Sequence, residues 1–304
     1  MSDTLFPALP YGDWVQSKET LHLFLQMIGK VRMASHPKQN HWWHVTLYPS
    51  ARGLTTGRIA HPSGGFQIDY DFIDHTVRVL KNDGRMEQFD VPGLSVAGFH
   101  DALFSALGAL GIDVTINTMP YDNVSKTPFE EDHARSTYDA EAVSRYWQAL
   151  CSIASVFETY RGGFYGKQTP AHLYWHSFDL AVTRFSGAAA PLENARTNSD
   201  REAYSHEVIS VGFWPGDDSF QQAAFYGYAY PEPEGMNTVV LKPASALWAE
   251  KNGGALAVLA YDDMRQQADP AGALLSFLDS VYEGAAQKAG WDSGKFDHIY
   301  KDSA

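Results

Sequence analysis

A tryptophan–histidine pair followed, eight residues after the histidine, by an arginine occurs twice in this 304-residue chain: Trp43-His44 leads to Arg52, and Trp175-His176 leads to Arg184. On composition alone a second such coincidence is expected on the order of once in a hundred chains. A repeat of this kind constrains architecture strongly, because both copies must form similar local structure and bury it in a similar way. In an extended strand the eight-residue offset keeps histidine and arginine on one face, roughly 26 Å apart. Each half would then carry an imidazole at one end and a fixed cation at the other.

Periodicity extends the repeat. Residues 16–33 place Leu21, Phe24, Leu25, Ile28 and Val31 on one helical stripe, and residues 95–110 do so with Val96, Phe99, Leu103, Leu107 and Leu110. Further along, 139–160 carries Val143, Tyr146, Trp147, Leu150 and Phe157, and 270–289 carries Leu274, Leu278, Val281, Tyr282 and Ala285. Between the helices lie strand patterns. Phe66, Ile68, Tyr70 and Phe72 alternate with polar residues, and Asn82-Asp83-Gly84 joins Thr76–Leu80 to Glu87–Val91 as a hairpin. Val208–Trp214, Ala223–Tyr230, Thr238–Leu241 and Ala255–Tyr261 read as strands of the second half.

Helix, Trp-His strand, antiparallel strands, helix therefore occurs twice, and the closing helices end alike at Gly111 and Gly290, where glycine suits the C-terminal cap. The expected fold class is α+β: two pseudo-symmetric halves, each an antiparallel sheet covered by amphipathic helices. The expected boundaries are 1–113 for the first half, 114–138 for a breaker-rich connecting segment and 139–304 for the second half. The segments 188–204 and 230–237 read as surface loops. A functional cleft is expected between the halves.

Charge narrows the partners. The formal net charge of −13 opposes a phosphate backbone or an anionic bilayer, and no basic run offsets it, so neither nucleic acid nor membrane is an expected partner. The single cysteine, Cys151, excludes an intramolecular disulfide, and the start MSDTLFPALPYGDW has neither the basic nor the apolar region of a signal peptide. A cytoplasmic location is the expectation; oligomeric state is left open.

The blocks HPKQNHWWHVTLYPSARGLTTG (36–57), HLYWHSFDLAVTRFSG (172–187), VGFWPGD (211–217) and FYGYAYPEPEG (225–235) are distinctive. In them the chain resembles a bacterial family of about this length known only as a domain of unknown function. The likeness spans nearly the whole chain. It implies one shared architecture and carries over no activity, cofactor or catalytic residue.

The residues themselves suggest several sites. His36, His41 and His44 put three imidazoles within nine residues, but His41 and His44 fall on opposite strand faces and no Cys, Asp or Glu completes a ligand set. No metal and no cofactor is expected. Arg52 and Arg184, each followed by glycine and hydroxyl residues, suit a carboxylate or phosphate through a bidentate fork; the alternative is ion pairing with an acidic residue across the halves. If the Trp-His strands ran antiparallel about a pseudo-axis, His44 would lie near Arg184 and His176 near Arg52, although Pro49 fits a central strand poorly. Gly162-Gly163-Phe164-Tyr165-Gly166-Lys167 is one residue short of a phosphate loop, and Cys151 reads as a buried, inert thiol. Trp214, Phe225, Tyr226, Tyr228 and Tyr230 exceed what one half-buried strand needs, and suit either a ligand wall or an aromatic core.

Three functions follow. The first is binding of a small anionic or polar-aromatic ligand between the halves, with His44, His176, Arg52 and Arg184 as polar contacts and Trp214 and Tyr228 as wall. The second is an enzyme in the same cleft, with a histidine as general acid or base and an arginine stabilising negative charge. The third, a non-catalytic protein-interaction module, would show a broad exposed apolar face.

Overall fold

The structure, a computed structural model, describes residues 5–121, 125–191, 193, 195, 197–251 and 253–296. The first half begins with α1 (Tyr11–Ser35). Five strands follow, β1 (Tyr48–Pro49), β2 (Gly53–Thr55), β3 (Phe66–Asp71), β4 (Thr76–Lys81) and β5 (Met86–Asp90), and then α2 (Val96–Ala109). The second half runs α3 (Ala140–Gly162), β6 (His172–Tyr174), β7 (Asp179–Ala189), the short α4 (Asn198–Ala203), β8 (His206–Trp214) and β9 (Ala224–Tyr230). It ends with β10 (Leu247–Lys251), β11 (Gly254–Ala260), α5 (Tyr261–Arg265), α6 (Pro270–Lys288) and α7 (Ser293–Phe296). The two sheets have the orders β1-β2-β3-β4-β5 and β6-β7-β8-β9-β11-β10, and every pairing is antiparallel. This is the expected α+β class with two halves.

The sheets touch at their edges. Leu47, just before β1, and Leu173 in β6 exchange two backbone hydrogen bonds of 3.0 and 2.7 Å. Each sheet has a helix-covered apolar face. In the first half Phe24 of α1 stacks on Phe99 of α2 at 4.1 Å over Tyr70 and Phe72. In the second, Gly227 of β9 brings the backbone against Val281 of α6, while the rings of Phe213, Phe225 and Tyr261 pack against one another at tilted angles.

The halves match at a point the Trp-His pairs do not mark. Thr56 donates its N–H to Ile68 O and accepts the Ile68 N–H on Oγ1, both at 2.9 Å; Thr169 does the same with Thr183, both at 2.9 Å. An arginine near the end of the preceding helix then donates to each threonine carbonyl, Arg32 to Thr56 and Arg161 to Thr169. The Trp-His strands themselves are corrected. Trp43-His44 lies in the turn before β1, and Trp175-His176 opens the four-residue turn between β6 and β7. Arg52 sits in the bend between β1 and β2, whereas Arg184 lies inside β7.

Helix α1 departs most from expectation. It reads as a surface helix with one apolar stripe, yet every residue from Thr20 to Arg32 is buried. A helix buried on all sides must satisfy its polar side chains internally. Four of them, Lys18, His22, Gln26 and Lys30, recur at intervals of four and so lie one above another along the helix. Each hydrogen-bonds a carbonyl of a surrounding loop: Lys18 to Gly216 at 2.9 Å, His22 to Trp175 at 2.8 Å, Gln26 to Tyr121 at 3.1 Å and Lys30 to Asn117 at 2.8 Å. Gln26 also accepts the Tyr121 N–H at 2.7 Å, so the connecting segment is strapped along α1.

Smaller differences concern polar strands and loops. Thr238–Leu241 forms no strand: Thr238 closes a 3-10 turn, Met236–Thr238, and the edge strand is β10, whose Leu247 is exposed. Of the expected loop 188–204, residues 192, 194 and 196 lie outside the described residues; β7 runs on to Ala189, and Thr197 caps α4 through a reciprocal box with Asp200. Among the described residues no helix is long and apolar enough to cross a membrane.

Candidate functional site

Strand parity decides what each side chain of β7 faces. Leu180, Val182 and Arg184 point to the helix-covered side, and Asp179, Ala181 and Thr183 to the other. On that second face Ala181 stands opposite Gly212, Gly212 opposite Tyr226, and Ser210 opposite Tyr228. Because Gly212 has no side chain, the Tyr226 ring lies across it, and a Cβ there would be 2.4 Å from the ring. The ring thereby reaches Asp179, whose carboxylate accepts hydrogen bonds from the Tyr226 and Ser177 hydroxyls. Beside it Thr183 and Ser210 hydroxyls pair at 2.9 Å, and Tyr228 and Tyr204 hydroxyls at 3.0 Å.

This face forms the floor of a cavity of about 800 Å³. One wall is the first turns of α1, with Lys18 and His22; another is the end of β8 and the loop after it, with Trp214 and Asp217; the β6–β7 turn contributes His176 and Phe178. The cavity thus lies between a helix of the first half and the sheet of the second. Lys18 is buried; burial pushes its ammonium down from the usual lysine range, and Glu19, Asp217 and Asp218 work against that. Burial lowers His22 to about 4, leaving it neutral and stacked on Phe178 at 5.0 Å. At the mouth Tyr11 donates to Asp218 at 3.1 Å, and burial with that bond pushes the phenol up to about 12.

Three of the six expected contacts, His176, Trp214 and Tyr228, line this cavity. The other three do not. His44 packs on Trp42 and accepts the Gln39 N–H at 3.3 Å; burial, then the charges of His36, Lys38 and Arg32, lower its affinity for protons. Arg184 is buried under α3 and α6, donates to Tyr160 O and has its guanidinium 3.5 Å from the Tyr160 ring and 4.2 Å from the Tyr282 ring. The expected pair of His44 with Arg184 does not form among the described residues.

Arg52 takes the alternative role, an ion pair, but within its own half. It bonds Asp71 at 2.5 Å and Asp74 at 2.7 Å, and Arg78 closes the same network on Asp71 at 2.9 Å. Burial pushes the Asp71 carboxyl up, but Arg52 and the N–H groups of Asp74 and Ile73 outweigh it and hold the carboxyl below its ordinary range. Asp71 is the buried hub. Asp71→Ala is expected to cost about 2–3 kcal/mol of stability in denaturant titration, because two arginines and two N–H groups lose their acceptor. Arg52→Ala, at an exposed position, should leave the melting temperature nearly unchanged. Equal losses would show the hub to be misassigned.

The three histidines of the first block take different partners. His36 contacts Pro37 O, while His41 meets Lys167 Nζ at 2.6 Å. Burial first, then Lys167, lowers His41. Cys151 is half-buried and burial pushes its thiol up to about 11.

Asp179, Lys18 and His22 were missed, and both signals are in the sequence. Asp179 opens an alternation of Asp179, Ala181 and Thr183 against Leu180, Val182 and Arg184. Lys18 and His22 belong to the four-residue polar series on an otherwise apolar helix.

The family described as "Family of unknown function (DUF5996)" matches residues 6–298. No curated protein and no solved structure matches.

Proposed function

The chain belongs to that family of unknown function, and we propose that it binds a small polar-aromatic molecule in the cavity between α1 and the floor of the second sheet. The observation that carries this reading is the cavity of about 800 Å³, the size of a small-molecule site, walled by Trp214, Tyr226 and Tyr228. Rings wall a pocket with large, stiff contact area, and their hydroxyls add a polar edge. The anionic alternative loses its support, since Arg52 and Arg184 are engaged elsewhere and no arginine is among the described lining residues.

A thermal-shift screen of small aromatic compounds tests the reading. Trp214 is only half-buried, so Trp214→Ala should leave the fold intact yet weaken any ligand found roughly tenfold, equivalent to about 1.4 kcal/mol. Affinities unchanged by both Trp214→Ala and Tyr228→Ala would place the ligand elsewhere and sink the proposal.

The units 1–113 and 139–304, joined by 114–138, are proposed to derive from one duplicated ancestor. The matched threonine junctions at Thr56 and Thr169 support this, with an arginine donating to each.

A further inference from the structure

Asp179 is 8% exposed, yet its carboxylate receives only two neutral hydroxyl donors, Ser177 and Tyr226, and forms no ion pair among the described residues. A buried anion held this way is costly unless a cation arrives. The cavity's two lysines do not supply one. Lys18 is spent on Gly216 O and lies 5.0 Å over the Tyr11 ring, and Lys251 lies 5.9 Å over Trp214 near Asp217. Both serve the loop after β8. Burial, then the Asp179 charge, holds the phenols of Tyr146, Tyr174 and Tyr226 protonated, so the rings surrounding the carboxylate stay neutral.

The lining as a whole has the same sign. Glu19, Asp179, Asp217, Asp218 and Glu232 face Lys18 and Lys251. Ring faces are the negative side of the aromatic quadrupole, and Tyr226 and Tyr228 stack at 6.2 Å with Trp214 5.9 Å from Tyr226. A carboxylate at the base of such rings is the arrangement that recognises ammonium groups. Among the described residues no three His, Cys, Asp or Glu side chains converge on a point, which favours an organic cation over a metal ion.

We propose that the cavity takes an organic cation, an aromatic amine whose ammonium sits on Asp179 between the Tyr204, Tyr226 and Trp214 rings. This rests on the cavity being a ligand site, and the test separates the two claims. Tyramine, tyrosol and 4-hydroxyphenylacetate share one phenol ring and differ in carrying an ammonium, a hydroxyl and a carboxylate. Calorimetric titration at neutral pH should rank tyramine at least about tenfold tighter than tyrosol, with 4-hydroxyphenylacetate weakest. Asp179→Asn should remove the tyramine advantage while leaving tyrosol unchanged. The ranking in the unaltered protein needs no variant, so misfolding of Asp179→Asn cannot rescue or spoil the result. Tyrosol or the acid binding as tightly as tyramine would overturn the cation and leave the cavity reading standing. Absence of binding by all three would also overturn the cation, while the aromatic screen with Trp214→Ala judges the cavity on its own.

Discussion

Trp175→Ala is expected to remove about 3–5 kcal/mol of stability, and Gly29→Ala about 1–3 kcal/mol, but the two together should cost less than their sum. The Trp175 ring, 3% exposed, donates its indole N–H to Val45 O at 2.7 Å and lies directly on the α1 backbone at Gly29. A Cβ at residue 29 would stand 2.1 Å from the ring. Removing the ring leaves a large void and an orphaned carbonyl; adding the methyl drives the ring off its seat. With the ring gone the methyl has room, and alanine is preferred to glycine within a helix by roughly 1 kcal/mol. In the Trp175→Ala background Gly29→Ala should therefore change sign and become stabilising. Denaturant titration of the four proteins measures the cycle, and strict additivity would show that the ring and Gly29 do not meet.

Stability is expected to fall as pH drops from about 6.5 towards 5, above the range in which carboxylates titrate. Burial holds His22 at about 4 and His172 at about 3, whereas both take up protons near 6.5 in the unfolded chain. Above pH 6.5 both states carry neutral rings and the terms vanish. Below it the unfolded chain binds protons that the folded one refuses, so folding weakens until pH reaches the folded values, about 4 for His22 and 3 for His172. Each histidine should contribute on the order of 2 kcal/mol by pH 5. His172 offers the cleaner test. Its ring lies between Tyr48 and Tyr174, neither nitrogen has a hydrogen-bond partner among the described residues, and Arg161 and Arg32 further disfavour its charge. His172→Phe should leave stability at pH 8 equal or higher, since no orphaned nitrogen remains, and should flatten the acid slope by about one proton. An unchanged slope would show that His172 is not held neutral.

Much of the fold was legible because each element shows one apolar stripe or one alternation. Residues 95–110, 139–160 and 270–289 became α2, α3 and α6 within about two residues at either end. The hairpin at Asn82-Asp83-Gly84 formed as read. The Trp-His segments failed for a backbone reason. His41 and Trp42 before the first pair, and Phe178 after the second, adopt positive φ of 53°, 61° and 59°, which turns the chain where bulky residues ordinarily extend it. Tertiary contacts hold those conformations, and no local pattern announces them.

The site divided along similar lines. Trp214 and Tyr228 announced themselves by aromatic excess on a strand, and His176 by the repeat, although the repeat suggested the wrong geometry. The arginines drew attention as charges, yet a single step of strand parity separates Arg184, under the helices, from the face that carries Asp179.

The polar series on α1 has a further consequence, for how the chain can fold. Its four side chains bond to Gly216 and Trp175 in the second half, and to Tyr121 and Asn117 in the connecting segment. Rotation by a fraction of a turn breaks all four bonds, and sliding by a whole turn leaves an end residue unmatched. The helix is thus keyed to segments up to 198 residues away. An early α1 has no partners for its buried lysines, so its final register is a late, long-range event, and the two halves gain their last stability in one cooperative step.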